Sequence, residues 1–278
     1  MFSGHETFTC KSLWLKKGYD FVSAGYSFNS DDAVVKLGVG KNMVSSIRYW
    51  MKAFGVLDSQ DNITPFGEYI FNEETGDPFL EDISTLWLLH FNLVWSGYAS
   101  IYNLLFLQFH KERNSFNKSH IVSFLKRKLN DAKLNVKTVE KDFSVMLRMY
   151  NASSDKVADD SSSILIDLNL LRRRESLSEV GADTTLYEFN EATKAQISPL
   201  VFLYAVKSAE PEDKIVSFDR LLDIASVLCM SMSEMYETFR QLSDIDANIS
   251  FSNAAGEQLF VMNQNLSLGQ ILDMIYAR

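Results

Sequence analysis

The sequence predicts a mostly α-helical fold with small β-hairpin wings: tandem winged-helix or helix-turn-helix modules around a helical middle region. Three observations predict it. Residues 30–54 hold two helical patterns joined by Gly38-Val39-Gly40, and residues 80–109 form a long apolar, aromatic stretch. Short strand-like segments with turn residues follow the helical pairs, as expected of hairpins. At 278 residues the chain can hold two to three small domains. The turn-rich run before Pro78 and the Pro199 that opens Leu200–Val206 divide it near 76 and 197. The predicted segments are an N-terminal winged helix-turn-helix (1–76), a helical middle domain with a second helix-turn-helix and wing (77–197), and an acidic winged-helix-like C-terminal domain (198–278).

In the first segment, Ser12 to Ser23 reads as a helix presenting Leu13, Leu15, Tyr19 and Val22. A second begins after an Asn29-Ser30 cap, with Asp31 and Asp32 in its first turn, where negative charge meets the positive end of the helix dipole, and it ends at Gly38. A third runs from Lys41 to Phe54, with Gly55 beyond its end for the left-handed cap. Its Val44, Ile47, Met51 and Phe54 recur at 3,4,3 spacing and mark a buried face. Lys41, Ser45, Arg48 and Lys52 mark the opposite face, beside Asn42 and Tyr49, with no carboxylate among them. Such a surface suits a DNA major groove; the alternative is a packing or dimerisation helix. Gly55-Val56-Leu57 and Asn62 to Gly67 suggest a short strand and turn, leading to a terminal helix through Phe71.

In the middle segment the aromatics from Trp87 to Phe109 read as core. Ser119–Leu129 and Lys137–Tyr150 are two helices, the second burying Val139, Phe143, Met146 and Tyr150 while Lys137, Lys141 and Arg148 face solvent. After a Ser/Asp-rich flexible loop at 151–163, Ile164–Leu171, the Arg172-Arg173-Arg174 run and Thr185–Phe189 are expected to pair as a wing with the arginines at its tip. In the last segment, helices are expected at 217–228, 231–242 and 266–276, with a hairpin of 248–251 and 258–262 around Asn253-Ala254-Ala255-Gly256.

Apolar residues make up 46% and charged residues 23%, which excludes wholesale disorder. Polar residues break the stretch 86–109, so it is too interrupted to span a bilayer, and no signal peptide is expected; the chain reads as cytoplasmic. Cys10 and Cys229 lack metal-ligand neighbours and read as core thiols. Net charge is −9, which disfavours a polyanion, yet residues 111–148 carry ten Lys or Arg against four Asp or Glu. Gly38-Val39-Gly40-Lys41 fails the phosphate-loop frame, because Val35 replaces the first Gly and Asn42 the Ser or Thr. His5, His90, His110 and His120 show no zinc pattern, and His5-Glu6 reads as a polar pair anchoring the start of the chain. No catalytic constellation, metal or cofactor is expected.

Several stretches carry a resemblance: Phe2-Ser3-Gly4-His5-Glu6-Thr7-Phe8, Trp14-Leu15-Lys16-Lys17-Gly18, Leu37 to Val44 with Ile47-Arg48-Tyr49-Trp50, and Thr64-Pro65-Phe66-Gly67. So do Asp77 to Asp82, Thr85 to His90 and Ser252 to Gly256. Together they resemble the bacterial family called domain of unknown function 4007. The resemblance implies gene clusters of DNA sulfur modification (phosphorothioation) and phage defence, and a partner similar to phosphoadenosine-phosphosulfate reductases. The expectation is a non-catalytic accessory subunit that binds duplex DNA through Lys41, Asn42, Ser45, Arg48, Tyr49 and Lys52, with Lys137, Lys141 and Arg172, Arg173 and Arg174 assisting. The alternatives are a protein adaptor for the sulfurtransferase-like partner, or a repressor of its own operon acting as a homodimer.

Overall fold

A computed structural model describes residues 2–129, 135–151, 163–174, 185–192, 194–254 and 257–277. The chain opens with α1 (Trp14–Ser23), α2 (Ala33–Leu37) and α3 (Lys41–Ala53). α1 buries Trp14, Leu15, Gly18 and Phe21, whereas Leu13 is 61% exposed and Tyr19 and Val22 are half-buried. The face differs from the predicted one because Gly18 lets α1 close on α3: a Cβ there would lie 2.1 Å from Met51 Sδ. α2 is shorter than expected, since Ser30 turns back to donate to Ser27 O and no side chain caps the helix. Gly38 ends it at φ +62°, a left-handed conformation that L side chains resist. The predicted stripe of Val44, Ile47, Met51 and Phe54 is buried.

Leu57 and Ile63 form a single antiparallel bridge before α4 (Pro65–Phe71), which Thr64 caps by accepting from Gly67 N. A Cβ on Gly76 would sit 2.3 Å from the backbone oxygens of Tyr69 and Ile70. Gly76→Ala is therefore expected to lower stability by about 2 kcal/mol in urea denaturation. The adjoining Asp77 is buried and accepts from the amides of Glu81 and Asp82 and from Thr85 Oγ1.

The 80–109 stretch divides into α5 (Ile83–Trp95), a turn with Gly97 at φ +65°, α6 (Ser100–Asn103) and a π-helical turn (Leu104–Phe109), continued by α7 (His110–Glu112). β1 (Ser115–Phe116), α8 (Lys118–Leu129), α9 (Val136–Tyr150), β2 (Leu171–Arg174) and β3 (Leu186–Phe189) follow. Their sheet has the order β1-β3-β2 and is antiparallel throughout. The triple-Arg segment pairs with 186–189, as the sequence leads one to expect, but Ile164–Leu170 is not strand. It forms turns and a short 3-10 helix (Ile166–Leu168), with Leu165, Leu168 and Leu170 fully buried; side chains needed on one buried side do not fit strand alternation.

The last part contains α10 (Pro199–Ala209), β4 (Ile215–Ser217), α11 (Phe218–Val227), α12 (Met232–Ile245), β5 (Ser250–Ala254), β6 (Glu257–Val261) and α13 (Leu268–Tyr276). The expected hairpin is present, and β4, too short to announce itself in the sequence, pairs with β6 to give the order β4-β6-β5. Both sheets thus share one plan: two helices separate the first strand from a hairpin, and the hairpin's second strand lies in the centre. Residues 152–162 of the loop expected at 151–163, residues 175–184, and Ala255 and Gly256 lie outside the described residues. Buried side chains from Cys10 to Leu272 form one connected core drawn from all three predicted segments. No helix of the described residues is long and apolar enough to cross a membrane.

Candidate nucleic-acid interface

On α3 the side chains of Lys41, Asn42 and Ser45 are exposed, because the first turns of the helix project beyond its packing against α1. Arg48 and Lys52 are only half-exposed. Arg48 donates to both carboxylate oxygens of Asp61 (2.9 and 2.5 Å) and to Asn29 Oδ1 (3.0 Å). Lys52 lies 2.8 Å from Asp61 Oδ1 and donates to Ser59 O. Burial pushes the Asp61 carboxyl up, but hydrogen bonds from Arg48 and then Lys52 outweigh it and hold the group below its usual value. The expectation of a carboxylate-free face is corrected here: the loop after α3 brings Asp61 back onto it, at φ +70°.

Tyr49 is corrected as well. It is 5% exposed, edge-on to Trp50 and tilted against Tyr98, and burial raises its phenol far above the ordinary value. It belongs to the core because a second layer, His5 and the α5–α6 turn, covers the side of α3 that the helical stripe alone leaves open.

In the middle unit Lys137 and Lys141 are exposed on α9, one turn apart, and Asn135 caps that helix by accepting from the amides of Lys137 and Thr138. Arg148, at the far end, instead donates to Thr7 O (2.7 Å). Arg172 is half-buried, while Arg173 and Arg174 are exposed. Arg172 stands opposite Glu188 in the sheet and Arg174 Nε lies 2.8 Å from the Glu188 carboxylate. These arginines sit in β2 and not at a loop tip. Of the cations expected to meet DNA, those with no carboxylate partner among the described residues are Lys41, Lys137, Lys141, Arg172 and Arg173, beside Asn42 and Ser45.

The sequence pairing of His5 with Glu6 gives way to a different partner. His5 Nε2 lies 3.0 Å from Asp142 Oδ1, Ser3 N donates to Asp142 Oδ2, and His5 stacks on Trp50 at 5.9 Å. Both side chains are buried, while Glu6 is exposed. Asp142 points inward from α9 and carried no sequence signal beyond being an acid one residue before the buried Phe143. Cys10 and Cys229 are fully buried, and burial pushes both thiols up, which leaves them inert. Among the described residues no group of three or more His, Cys, Asp and Glu could hold a metal ion.

Fold and surface together define a mostly helical protein with two small antiparallel sheets and separate patches of exposed basic side chains. The chain belongs to the family described as "Protein of unknown function (DUF4007)", whose model matches residues 2–276. No curated protein shows significant similarity to it. Two solved structures share the fold, "SspB crystal structure" and "Magnesium ion-bound SspB crystal structure". Each has a TM-score of 0.80 and 23% identity, over 99% of this chain and 88% of the other.

Proposed function

We propose that the protein is a DNA-binding accessory subunit of a bacterial DNA sulfur-modification or phage-defence system, acting in the cytoplasm. The observation that carries this reading is the middle unit, where Lys137 and Lys141 on the second helix of a helical pair are exposed and the adjoining hairpin carries Arg172 and Arg173. Helix, strand, two helices and a hairpin is the order of a winged helix, and the second helix is the one such units lay in a major groove. α3 adds Lys41, Asn42 and Ser45 from a helix-turn-helix. Arg48 and Lys52 drop out of the DNA-facing set, since Asp61, Asn29 and Ser59 already hold their donors.

Fluorescence anisotropy on duplex DNA tests the reading. Binding is expected to weaken steeply between about 50 and about 200 mM salt. Replacing Lys137, Lys141 and Arg173 together by Ala should lower the salt slope by about one for each phosphate that is no longer neutralised. Absence of binding, or unchanged binding by that variant, would overturn it. One of the similar structures holds magnesium, so supercoiled plasmid incubated with the protein and Mg²⁺ is the second check. It is expected to stay supercoiled; conversion to open circles would make the protein an enzyme instead.

A protein-docking role for the last unit has its own support. α12 occupies the position of the groove-reading helix there, yet its exposed face carries Glu237 and Asp244, both hydrogen-bonded to Arg240. Such a face repels phosphate. The partner expected from the family's resemblance is sulfurtransferase-like.

A further inference from the structure

A cleft of about 650 Å³ lies where the middle and last units meet, between α7, the residues after β3, α11 and the start of α12. One wall is rigid. The π-helical turn delivers His110, whose ring stacks on Phe189 at 3.9 Å, with Nδ1 3.1 Å from Ser226 O and Nε2 3.3 Å from Glu191. Ser226 Oγ donates to Phe106 O within the same turn. The opposite side is soft and apolar: Leu222, Met230 and Met232, the last 45% exposed. A neighbouring hollow of about 310 Å³ shares Asp219 and Asp223 with it and adds Asp213 and the 53% exposed Ile215.

The charges there are unbalanced. Glu191 is held below its usual value, chiefly by the hydrogen bond from His110. Asp223 pairs with Lys111 and Arg220, and Glu210 with Arg220. Asp213 and Asp219 have no cationic partner among the described residues, although both line the cleft system. Methionines adapt their shape to an incoming side chain, and a prearranged wall lowers the ordering cost of binding.

We propose that this cleft receives a basic amphipathic segment of a partner protein, its Lys or Arg side chains meeting Asp219 and Asp213 and its apolar side chains lying on Leu222, Met230 and Met232. The site deepens the partner-binding half of the proposed function. Its test contains no DNA, so the DNA reading and this one fail separately.

The probe is a labelled, helix-forming peptide of about 14 residues with leucines on one face and lysines elsewhere, titrated at about 150 mM salt. The same peptide with glutamates replacing the lysines is its control. Asp219→Asn with Met232→Lys is compared with the charge-matched pair Asp31→Asn with Val35→Lys, exposed at α2 in the first unit. Thermal melts establish that both variants fold. The lysine peptide is expected to bind the unaltered protein and the Asp31 variant alike, and the Asp219 variant about tenfold more weakly. Lack of binding, equal weakening by both variants, or equal affinity for the glutamate peptide overturns the proposal. So does sedimentation showing that the unaltered chain self-associates and the Asp219 variant does not, since a second copy would then fill the cleft.

Discussion

Replacing Asp142 by alanine is expected to destabilise the protein by about 2 to 5 kcal/mol, the cost of taking the acceptor away from two hydrogen-bond donors. The side chain is 3% exposed and fully engaged, with one oxygen on His5 Nε2 and the other on the amide of Ser3. His5 Nδ1 faces Thr7 N–H at 3.2 Å, which fixes it as an acceptor and makes Nε2 the nitrogen that donates to Asp142. Alanine would leave that buried N–H and the part-buried Ser3 amide without their acceptor. The backbone adds to the loss: Ser3, Glu6 and Thr7 sit at φ +66°, +47° and +68°, conformations that survive only where surrounding contacts impose them. The segment also holds α3 to α9 through Ser46 Oγ to His5 O, Trp50 Nε1 to Phe8 O and Arg148 to Thr7 O. Urea denaturation should show the loss, and proteolysis should open the chain first within residues 2–8. Asp142→Asn keeps an acceptor and is expected to fall between. A loss below about 1 kcal/mol for alanine, the scale of an ordinary hydrogen bond, would mean that the pair does not hold the segment.

Acid is expected to act through His90. The ring is fully buried, with Nδ1 2.8 Å from Tyr150 Oη and Nε2 2.7 Å from Val227 O, and Phe106 meets it edge-on. Because Val227 O can only accept, Nε2 carries the proton and Nδ1 receives the tyrosine hydroxyl. Burial lowers its pKa to about 4, with the Val227 hydrogen bond opposing in part. In the unfolded chain the ring takes up a proton near pH 6.5, whereas the folded protein refuses it until about 4. The unfolded state therefore binds more protons between these values, and stability, complete above pH 6.5, falls as pH drops towards 4, by about 3 kcal/mol in all. Denaturation at a series of pH values for the unaltered protein and for His90→Gln isolates this part from the carboxylates, which both share. The glutamine variant should be less stable at neutral pH and lack this slope. Identical slopes would show that the ring is not held neutral.

The helices were legible because their signal is local. Val44, Ile47, Met51 and Phe54, and likewise Val139, Phe143, Met146 and Tyr150, repeat with the helical period, and all are buried. The turn between α2 and α3 was legible for the same reason, since Gly38 marks a left-handed residue whatever surrounds it. Composition around Arg172–Arg174 and 185–189 announced a hairpin, and those residues pair. The family, too, was carried by short motifs near the N-terminus, and the match extends over residues 2–276.

The site was legible only as a set of charges. Which of them remain free depends on residues elsewhere in sequence: Asp61, 13 positions after Arg48, takes both Arg48 and Lys52, and Glu188 meets Arg174 from the neighbouring strand. Periodicity marks a face as polar and cannot say whether that face meets water or a second layer of protein, which is how Tyr49 and Asp142 came to be buried. The first strand of each sheet was equally hidden, because Ser115–Phe116 and Ile215–Ser217 are too short for a side-chain pattern and pair with strands far along the chain. Helical period, glycine and motif were enough to specify the helices, their turns and the family. Which charges face solvent was settled by the folded chain, because desolvation and pairing are properties of what the fold brings near.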